Sequence, residues 1–307
     1  MTAPQIQRIG FAGIGNMGWP MAAHLVAAGF DVAVLDAVPG RADEFATVVG
    51  GRAAVDAFDV ATSVDALVTM LPNSAHVTTV VNVAKSALPP SALVIEMSSG
   101  IPTVTRDLAA QLGSAGVSLI DCPVSGGVGR ARVGELAIMA GGSEVDLKRA
   151  APVLAAMGTS VHHCGPVGAG QAMKALNNLV SAGGFLIAVE ALLIGRQFGL
   201  DPALMTDVLN ASTGMNNTTQ KKIKQFVLSR RFDSGFGLDL MVTDLSIALE
   251  VGRQTETATP FAALCQQLWA SATSLLGPGQ DHTAIARLSE TLGGATLTER
   301  SDANGEK

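Results

Sequence analysis

Three glycines near the start of the chain have the spacing that binds a pyrophosphate. Gly13, Gly15 and Gly18 follow an apolar run, residues 9–12, and open a predicted helix. In this arrangement the first glycine permits a tight turn, the second lets the backbone approach the phosphates, and the third lets helix and strand pack closely. The helix N-terminus adds free N–H groups and a partial positive charge. The predicted dinucleotide-binding residues are Gly13, Ile14, Gly15, Asn16, Met17 and Gly18.

An acidic residue indicates which dinucleotide is preferred. Asp36 ends a second apolar run, residues 32–35, at 18 positions beyond Gly18. A carboxylate here can accept hydrogen bonds from the adenosine ribose, whereas a 2′-phosphate would face a like charge. Arg41 is the first cation after Asp36 and could in principle reach a phosphate. The sequence therefore predicts NAD as the cofactor, with NADP as the less favoured alternative.

Three further strand ends carry polar or glycine-rich segments. Leu71-Pro72 and Ser98-Ser99 follow predicted strands and are expected to contact the dinucleotide. Asp121 begins the segment D-C-P-V-S-G-G, in which Ser125, Gly126 and Gly127 can form a nest of backbone N–H groups that binds a carboxylate. An ordinary glycine turn explains these last residues equally well, so the segment alone leaves both interpretations open.

One lysine is placed to transfer a proton. If residues 168–178 are helical, Lys174 and Asn178 are four residues apart and share a face. Small neighbours such as Ala172 and Ala175 would let this helix approach a ligand closely. Desolvation would then lower the pKa of the lysine toward a useful range. A solvated surface lysine is the alternative. The chain contains no tyrosine, so a Tyr-based proton relay is excluded.

The elements that must position these residues alternate between strand and helix up to about residue 157. Repeated βα units predict a doubly wound, mostly parallel Rossmann sheet in domain 1–166. A helix over about residues 168–198 would span about 45 Å and join the domains. The remainder of domain 167–296 has helical patterning only and predicts an all-α domain. The polar tail, residues 297–307, is predicted to be disordered.

Composition narrows the function classes. The chain has 307 residues, 48% hydrophobic residues and a net charge of −6, which argues against nucleic-acid binding as a main role. Its three cysteines lack metal-ligand spacing, so no metal site is predicted, and scattered thiols fit a reducing compartment. The N-terminus has no signal-peptide pattern. The most apolar stretch, residues 179–194, contains Glu190 and is interrupted by small residues, so no membrane span is expected. We predict a cytoplasmic protein.

Four motifs together resemble those of the β-hydroxyacid dehydrogenase family, which includes 3-hydroxyisobutyrate dehydrogenase and tartronate semialdehyde reductase. They occur in the family's order and extend the resemblance to about Leu292. The matching segments are residues 13–18, 121–127, 170–178 and 236–245.

The resemblance implies an NAD-dependent oxidoreductase acting on CH–OH groups. By this resemblance, Lys174 is expected to transfer the proton and Asn178 to support Lys174. Ser125, Gly126 and Gly127 are expected to hold the substrate carboxylate. The family also implies a long interdomain helix and an α-helical domain for oligomerisation, as a homodimer or homotetramer. The substrate is expected to be a small 3-hydroxy acid or its semialdehyde.

Three positions depart from the family pattern. Thr243 stands where the family has a lysine that contacts the cofactor, His76 where several relatives have asparagine, and Ser99 where they have threonine. With Leu71, Pro72 and Asp36 these complete the predicted cofactor-binding set. Alternatives are a reductase of a related semialdehyde, an enzyme for a sulfonate-type substrate, or a catalytically weak dinucleotide-binding module. Imine reductases share the fold but lack the lysine and paired asparagines.

Overall fold

The computed structural model describes residues 5–298. Contacts divide the chain into two units, and the division falls after Lys174, within a long helix. The sequence predicts an earlier boundary, after residue 166. The strands are β1 Arg8–Ala12, β2 Asp31–Leu35, β3 Arg52–Ala53, β4 Ala66–Thr69, β5 Leu93–Glu96, β6 Ser118–Asp121, β7 Val124–Ser125, β8 Leu136–Gly141 and β9 Gly158–Gly165.

These strands form one parallel-dominated sheet in the first unit. Its order is β3-β2-β1-β4-β5-β6-β8-β7, with β9 paired to β8. The six neighbouring strands β3-β2-β1-β4-β5-β6 pair in parallel. Strand β8 is antiparallel to β6 and β7, and β9 is parallel to β8. The predicted doubly wound Rossmann fold is confirmed. Since the order reverses at β1 and β4, the carboxyl ends of these strands form the crevice where such sheets bind ligands.

Both faces of the sheet are covered by helices. Successive strand residues point to opposite faces, so Val68 and Ile95 join one apolar cluster while Leu67 and Val94 join another. All four are fully buried, which explains why these strands read as continuous apolar runs. The helices of this unit are α1 Gly18–Ala27, α2 Arg41–Val48, α3 Ser74–Ala84, α4 Pro102–Gly113, α5 Gly127–Arg132, α6 Glu144–Met157 and the beginning of α7 Ala169–Phe198.

The second unit is helical, and within its described residues the strand-like pairing is an isolated bridge between Gly237 and Asp281. The predicted all-α character is confirmed. Its core surrounds α7 and contains Phe185, Leu245 and Trp269. Besides the rest of α7, it contains α8 Pro202–Asn210, α9 Asn217–Lys221, a π-helical turn Ile223–Leu228, α10 Leu238–Gln254, α11 Pro260–Leu276 and α12 Ile285–Gly293.

Helix α7, Ala169–Phe198, has almost the bounds that the sequence predicts for this helix, residues 168–198. Within residues 5–298 it is long and apolar enough to cross a membrane, and 56% of its most apolar window is buried inside the protein. Phe185 and Val189 on this helix are almost completely buried in the core of the helical unit. Such burial is typical of the core helix of a globular domain.

The C-terminal end of the described chain packs against the helical unit. Leu297 is fully buried, and its N–H donates to the Glu290 carboxylate at 2.7 Å. The residue at which the predicted disordered tail begins therefore belongs to the core. Residues 299–307 of that tail lie outside the described residues.

Candidate active site

The glycine turn has the shape that a dinucleotide requires. Gly13 has a φ of +95°, and a Cβ on it would lie 2.3 Å from the Met70 carbonyl oxygen. A Cβ on Gly18 would lie 1.9 Å from the Gly13 carbonyl oxygen, so helix α1 and strand β1 require glycine there. A Cβ on Gly15 would meet nothing within 4 Å. The backbone at Gly15 thus faces open space at the start of α1, which fits a bound pyrophosphate.

Asp36 is held beside this turn. Its carboxylate accepts hydrogen bonds from the N–H groups of Ile14 and Val38, both at 2.9 Å. Arg41, the cation that could serve a 2′-phosphate, has its guanidinium 3.5 Å from the same carboxylate. The nearest positive charge is therefore already paired with the acid, an arrangement suited to NAD.

The ends of β4 and β5 adjoin the glycine turn. The Leu71 N–H donates to Ser98 Oγ at 2.9 Å, and a Cβ on Gly13 would lie 2.8 Å from Leu71 Cδ2. Ser99 is half-buried, while Pro72 and His76 are exposed. His76 Nδ1 donates to Asn73 Oδ1 at 2.8 Å, so its ring lies over the first turn of α3.

The predicted carboxylate turn lies between β7 and α5. Gly126 has φ +134° and Gly127 φ +64°, backbone conformations that favour glycine. Ser125 and Gly127 are half-buried and Gly126 is exposed, so a small acid can reach the turn. The side chain of Arg130, which was not among the predicted site residues, folds back over Gly126. A Cβ on Gly126 would lie 2.6 Å from Arg130 Cδ.

Lys174 lies near the beginning of α7 and is only 7% exposed. The start of the helix is held by Asp121, whose carboxylate accepts the N–H groups of Gly168 at 2.7 Å and Gln171 at 2.8 Å. The negative charge of a carboxylate at the N-terminus of a helix also interacts favourably with the helix dipole. Burial raises the pKa of Asp121, while these backbone N–H groups oppose the shift.

A second buried acid, Glu96, lies at the end of β5 and was also not among the predicted site residues. Its carboxylate accepts the Ser98 N–H at 2.9 Å and the side-chain amide of Gln171. Burial raises the pKa of Glu96 to about 8, and the neighbouring Asp121 carboxylate adds to the shift. An acidic residue that ends an otherwise apolar strand, L-V-I-E, was the available signal in the sequence.

The remaining predicted site residues belong to the helical unit. Asn178 is 6% exposed and its side-chain amide donates to the buried Asp244 carboxylate. Asn177 donates to Asn178 Oδ1 at 3.1 Å, so the Asn178 side chain is fixed at both ends. Thr243 is exposed, and its hydroxyl donates to the Asp239 carbonyl oxygen at 3.0 Å. Asp244 was part of a recognised motif, but its contact with Asn178 was not predicted.

No group of His, Cys, Asp and Glu side chains suited to a metal ion occurs within the part of the chain that the structure describes. Cys122, Cys164 and Cys265 are free thiols. Burial raises the pKa of Cys122 well above its usual value, which makes this thiol unreactive.

Family models match nearly the whole chain. Residues 8–165 match the NAD-binding domain of 6-phosphogluconate dehydrogenase. Residues 168–289 match a family model described as the NAD-binding region of NADP-dependent 3-hydroxyisobutyrate dehydrogenase. The first match covers the sheet and the glycine turn, and the second begins one residue before α7.

Full-length relatives are similar over the same range. A 2-(hydroxymethyl)glutarate dehydrogenase from Eubacterium barkeri is 33% identical over 95% of this chain and 97% of its own. A 3-hydroxyisobutyrate dehydrogenase from Pseudomonas aeruginosa is 36% identical over 85% and 90%. The solved structure of 3-hydroxyisobutyrate dehydrogenase from Mycobacterium tuberculosis with L-serine has a TM-score of 0.85 and 32% identity, over 92% of this chain and 99% of that one. Since motifs, fold and relatives agree over most of the sequence, this chain belongs to the β-hydroxyacid dehydrogenase family and is an NAD-linked oxidoreductase of hydroxy acids.

Proposed function

We propose that the protein interconverts a small 3-hydroxy acid and its semialdehyde, with Lys174 as the general acid and base. The observation that carries the proposal is the buried lysine on α7, a helix whose first turn is bonded to the ends of β5 and β6. The ends of β1, β4 and β5 are also the edge at which a dinucleotide binds in this fold. A proton-transfer group and the cofactor edge thus belong to one hydrogen-bonded unit.

Each residue has a distinct task in this proposal. NAD, when bound, supplies the hydride acceptor. Lys174 Nζ accepts the proton of the substrate hydroxyl as the C–O bond gains double-bond character, and returns it to the aldehyde oxygen in the reverse direction. Ser125, Gly126 and Gly127 hold the substrate carboxylate with a hydroxyl and backbone N–H groups. Asn178, fixed by Asp244, supports the lysine from the next turn of the helix.

Cofactor binding is assigned to the glycine turn and the adjoining strand ends. The open space at Gly15 accommodates the pyrophosphate, and Asp36 accepts hydrogen bonds from the ribose. Leu71, Pro72, His76 and Ser99 are assigned to further contacts with the dinucleotide. Thr243 retains a predicted cofactor role from the family pattern, although its hydroxyl donates to its own helix.

Arg130 favours a second candidate substrate, a 3-hydroxy acid with two acid groups. Its side chain is exposed and covers Gly126, and within residues 5–298 no hydrogen bond or ion pair engages its guanidinium. Guanidinium groups bind carboxylates bidentately. The relative from Eubacterium barkeri is named for a dicarboxylic hydroxy acid. The Ser125–Gly127 turn would bind one acid group of such a substrate, and Arg130 would bind the other.

We also propose a homo-oligomer in the cytoplasm. Val180, Ile187 and Ile194 are 59–77% exposed and recur every seven residues along α7, a spacing that forms an apolar helix seam. A second copy of the chain would cover it, as the family resemblance implies. Light scattering tests this assembly, and a monomer at micromolar concentration would contradict it.

The three free thiols fit a reducing compartment such as the cytoplasm, and cell fractionation can check this location.

A substrate panel tests the activity. Reduction of NAD is followed at the NADH absorbance with 3-hydroxyisobutyrate, L-serine, 2-(hydroxymethyl)glutarate and a hydroxy sulfonate. Turnover with at least one hydroxy carboxylate is expected. If the dicarboxylate is preferred, Arg130→Ala should lose that preference, whereas Arg132→Ala on the same helix should keep it. No turnover with any acid, despite NAD binding, would instead support the dinucleotide-binding module.

A further inference from the structure

The first turn of α7 is fastened to the sheet by one buried side chain. Gln171 is 1% exposed, and its Oε1 accepts the Gly100 N–H at 2.7 Å. Its Nε2 donates to the Ser98 carbonyl oxygen at 2.8 Å and to the Glu96 carboxylate. The Gly100 and Ser98 contacts fix which end of the amide is oxygen, so Gln171 must meet an acceptor at Glu96.

Glu96 connects this helix turn with the cofactor edge. One oxygen of its carboxylate accepts the Ser98 N–H and the other accepts Gln171. Ser98 in turn accepts the Leu71 N–H through its hydroxyl. A single buried carboxylate therefore joins the loop after β4, the end of β5 and the start of α7. Glu96 is 2% exposed, so it does not touch a substrate itself.

Lys174 follows Gln171 by three residues, so the two side chains are neighbours on one helix face. Glycines let this part of α7 lie directly on the sheet. A Cβ on Gly170 would lie 2.3 Å from the Met139 carbonyl oxygen. The helix cannot move toward the sheet, and Gln171 prevents it from turning about its axis. The position of Lys174 is thereby set relative to Ser98 and Leu71.

We propose that Glu96 is a positioning residue of the reaction, which through Gln171 fixes Lys174 relative to the cofactor edge. This inference rests on the proposed role of Lys174. An amide at position 96 can accept at one atom only, so it leaves either the Ser98 N–H or the Gln171 amide unpaired. A displacement of about 1 Å at a reacting group can cost about a hundredfold in rate.

The test uses Glu96→Gln in the full-length enzyme with its best substrate at pH 9, where Glu96, whose pKa burial raises to about 8, is a carboxylate that accepts at both oxygens. We expect kcat to fall about ten- to hundredfold while KM for NAD stays within about threefold of the wild type. Thr69→Val is the matched control. Thr69 is buried and lies beside Glu96 in the sheet register, and its hydroxyl has no partner in the described part of the chain. This control should keep wild-type kcat.

Lys174→Ala separates positioning from a structural effect. If Glu96 acts through Lys174, adding Glu96→Gln to Lys174→Ala should change kcat by less than about twofold, since the two losses are then not additive. If Glu96→Gln does not fold, Glu96→Asp, which retains the charge but shortens the reach, is measured in the same way. Two outcomes would overturn the inference and leave the proposed function intact. In the first, Lys174→Ala loses activity but the position 96 variant keeps wild-type kcat. In the second, the losses in kcat of the two single variants multiply in the double variant. Wild-type activity of Lys174→Ala would overturn both.

Discussion

At the residue scale, the choice of cofactor depends on Asp36. Its carboxylate accepts two backbone N–H groups and holds Arg41 at 3.5 Å. We expect kcat/KM for NAD to exceed that for NADP by at least about tenfold, because a 2′-phosphate brings about two negative charges next to this acid.

Asp36→Ala should reduce this preference, since it removes the like charge and releases Arg41 to bind a 2′-phosphate. Asp31→Ala, at the other end of the same strand, is the control and should keep the wild-type ratio. Steady-state kinetics with both cofactors measures the effect. A wild-type enzyme that uses NADP as well as NAD would contradict the assignment.

The sequence predicts most of the residues of the candidate site, and the reason is local. The glycine turn, Asp36 and Lys174 each belong to a short motif whose spacing has a physical meaning. Glu96 and Gln171 were missed because they are 75 residues apart and meet only when β5 and α7 pack. Arg130 was missed because its stem covers Gly126 through a backbone turn that residue types alone do not specify.

At the element scale, the three glycines of the turn are predicted to fail in different ways. Gly18→Ala should lower the thermal midpoint, because its Cβ would lie 1.9 Å from the Gly13 carbonyl oxygen. Gly15→Ala should fold normally, since nothing lies within 4 Å of its Cβ. It should nevertheless bind NAD at least about tenfold more weakly, because the methyl group occupies the space of the pyrophosphate.

Calorimetric unfolding and NAD titration distinguish these variants. Gly113→Ala, another glycine with no atom within 4 Å of its Cβ, is the control and should change neither quantity. Unaltered NAD affinity in Gly15→Ala would show that the cofactor does not approach this turn.

Elements with a strong pattern were predicted well, and those without one were not. The central strands are buried on both faces and therefore read as apolar runs. β9, with the sequence G-T-S-V-H-H-C-G, lies at the sheet edge and is largely exposed, so it shows no such run. β3 and β7 have two residues each, too few for any periodicity. The units also divide within α7, where a continuous helical pattern offers no signal.

At the scale of the whole molecule, we expect the helical unit to lose stability as the pH falls, at pH values above those at which most carboxylates become protonated. His282 is 3% exposed and stacks on Trp269. Its Nε2 accepts from Lys222 Nζ at 2.8 Å and its Nδ1 lies 3.2 Å from the Phe236 carbonyl oxygen, which makes it a neutral imidazole protonated at Nδ1. Burial, with the Lys222 charge, lowers the pKa of His282 to about 4.

The folded state therefore binds this proton less readily than the unfolded chain, whose histidine titrates near 6.5. Between those values the unfolded state holds more protons, so stability falls as the pH falls from about 6.5 to about 4. The expected loss between pH 7 and pH 5 is at most about 2 kcal/mol. Asp281, whose pKa is lowered by its hydroxyl and N–H donors despite burial, adds a further loss only at lower pH.

Urea unfolding followed by Trp269 fluorescence measures this dependence. Trp19 is the other tryptophan, so a Trp19→Phe background isolates the helical unit. His282→Gln should abolish the dependence between pH 7 and pH 5, whereas the exposed His162→Gln should retain it. Equal stability of the parent protein at both pH values would contradict the assignment.

The central claim is that a hydroxy-acid dehydrogenase uses Lys174 to move the proton. Its most direct test is the pH dependence of kcat for oxidation in the wild type and in Lys174→Ala, with Lys148→Ala on α6 as a matched lysine control. We expect kcat of Lys174→Ala to fall about 10²–10⁴-fold, with NAD affinity unchanged and the alkaline rise of the rate lost. Turnover within a few-fold of the wild type, with that rise preserved, would contradict the account.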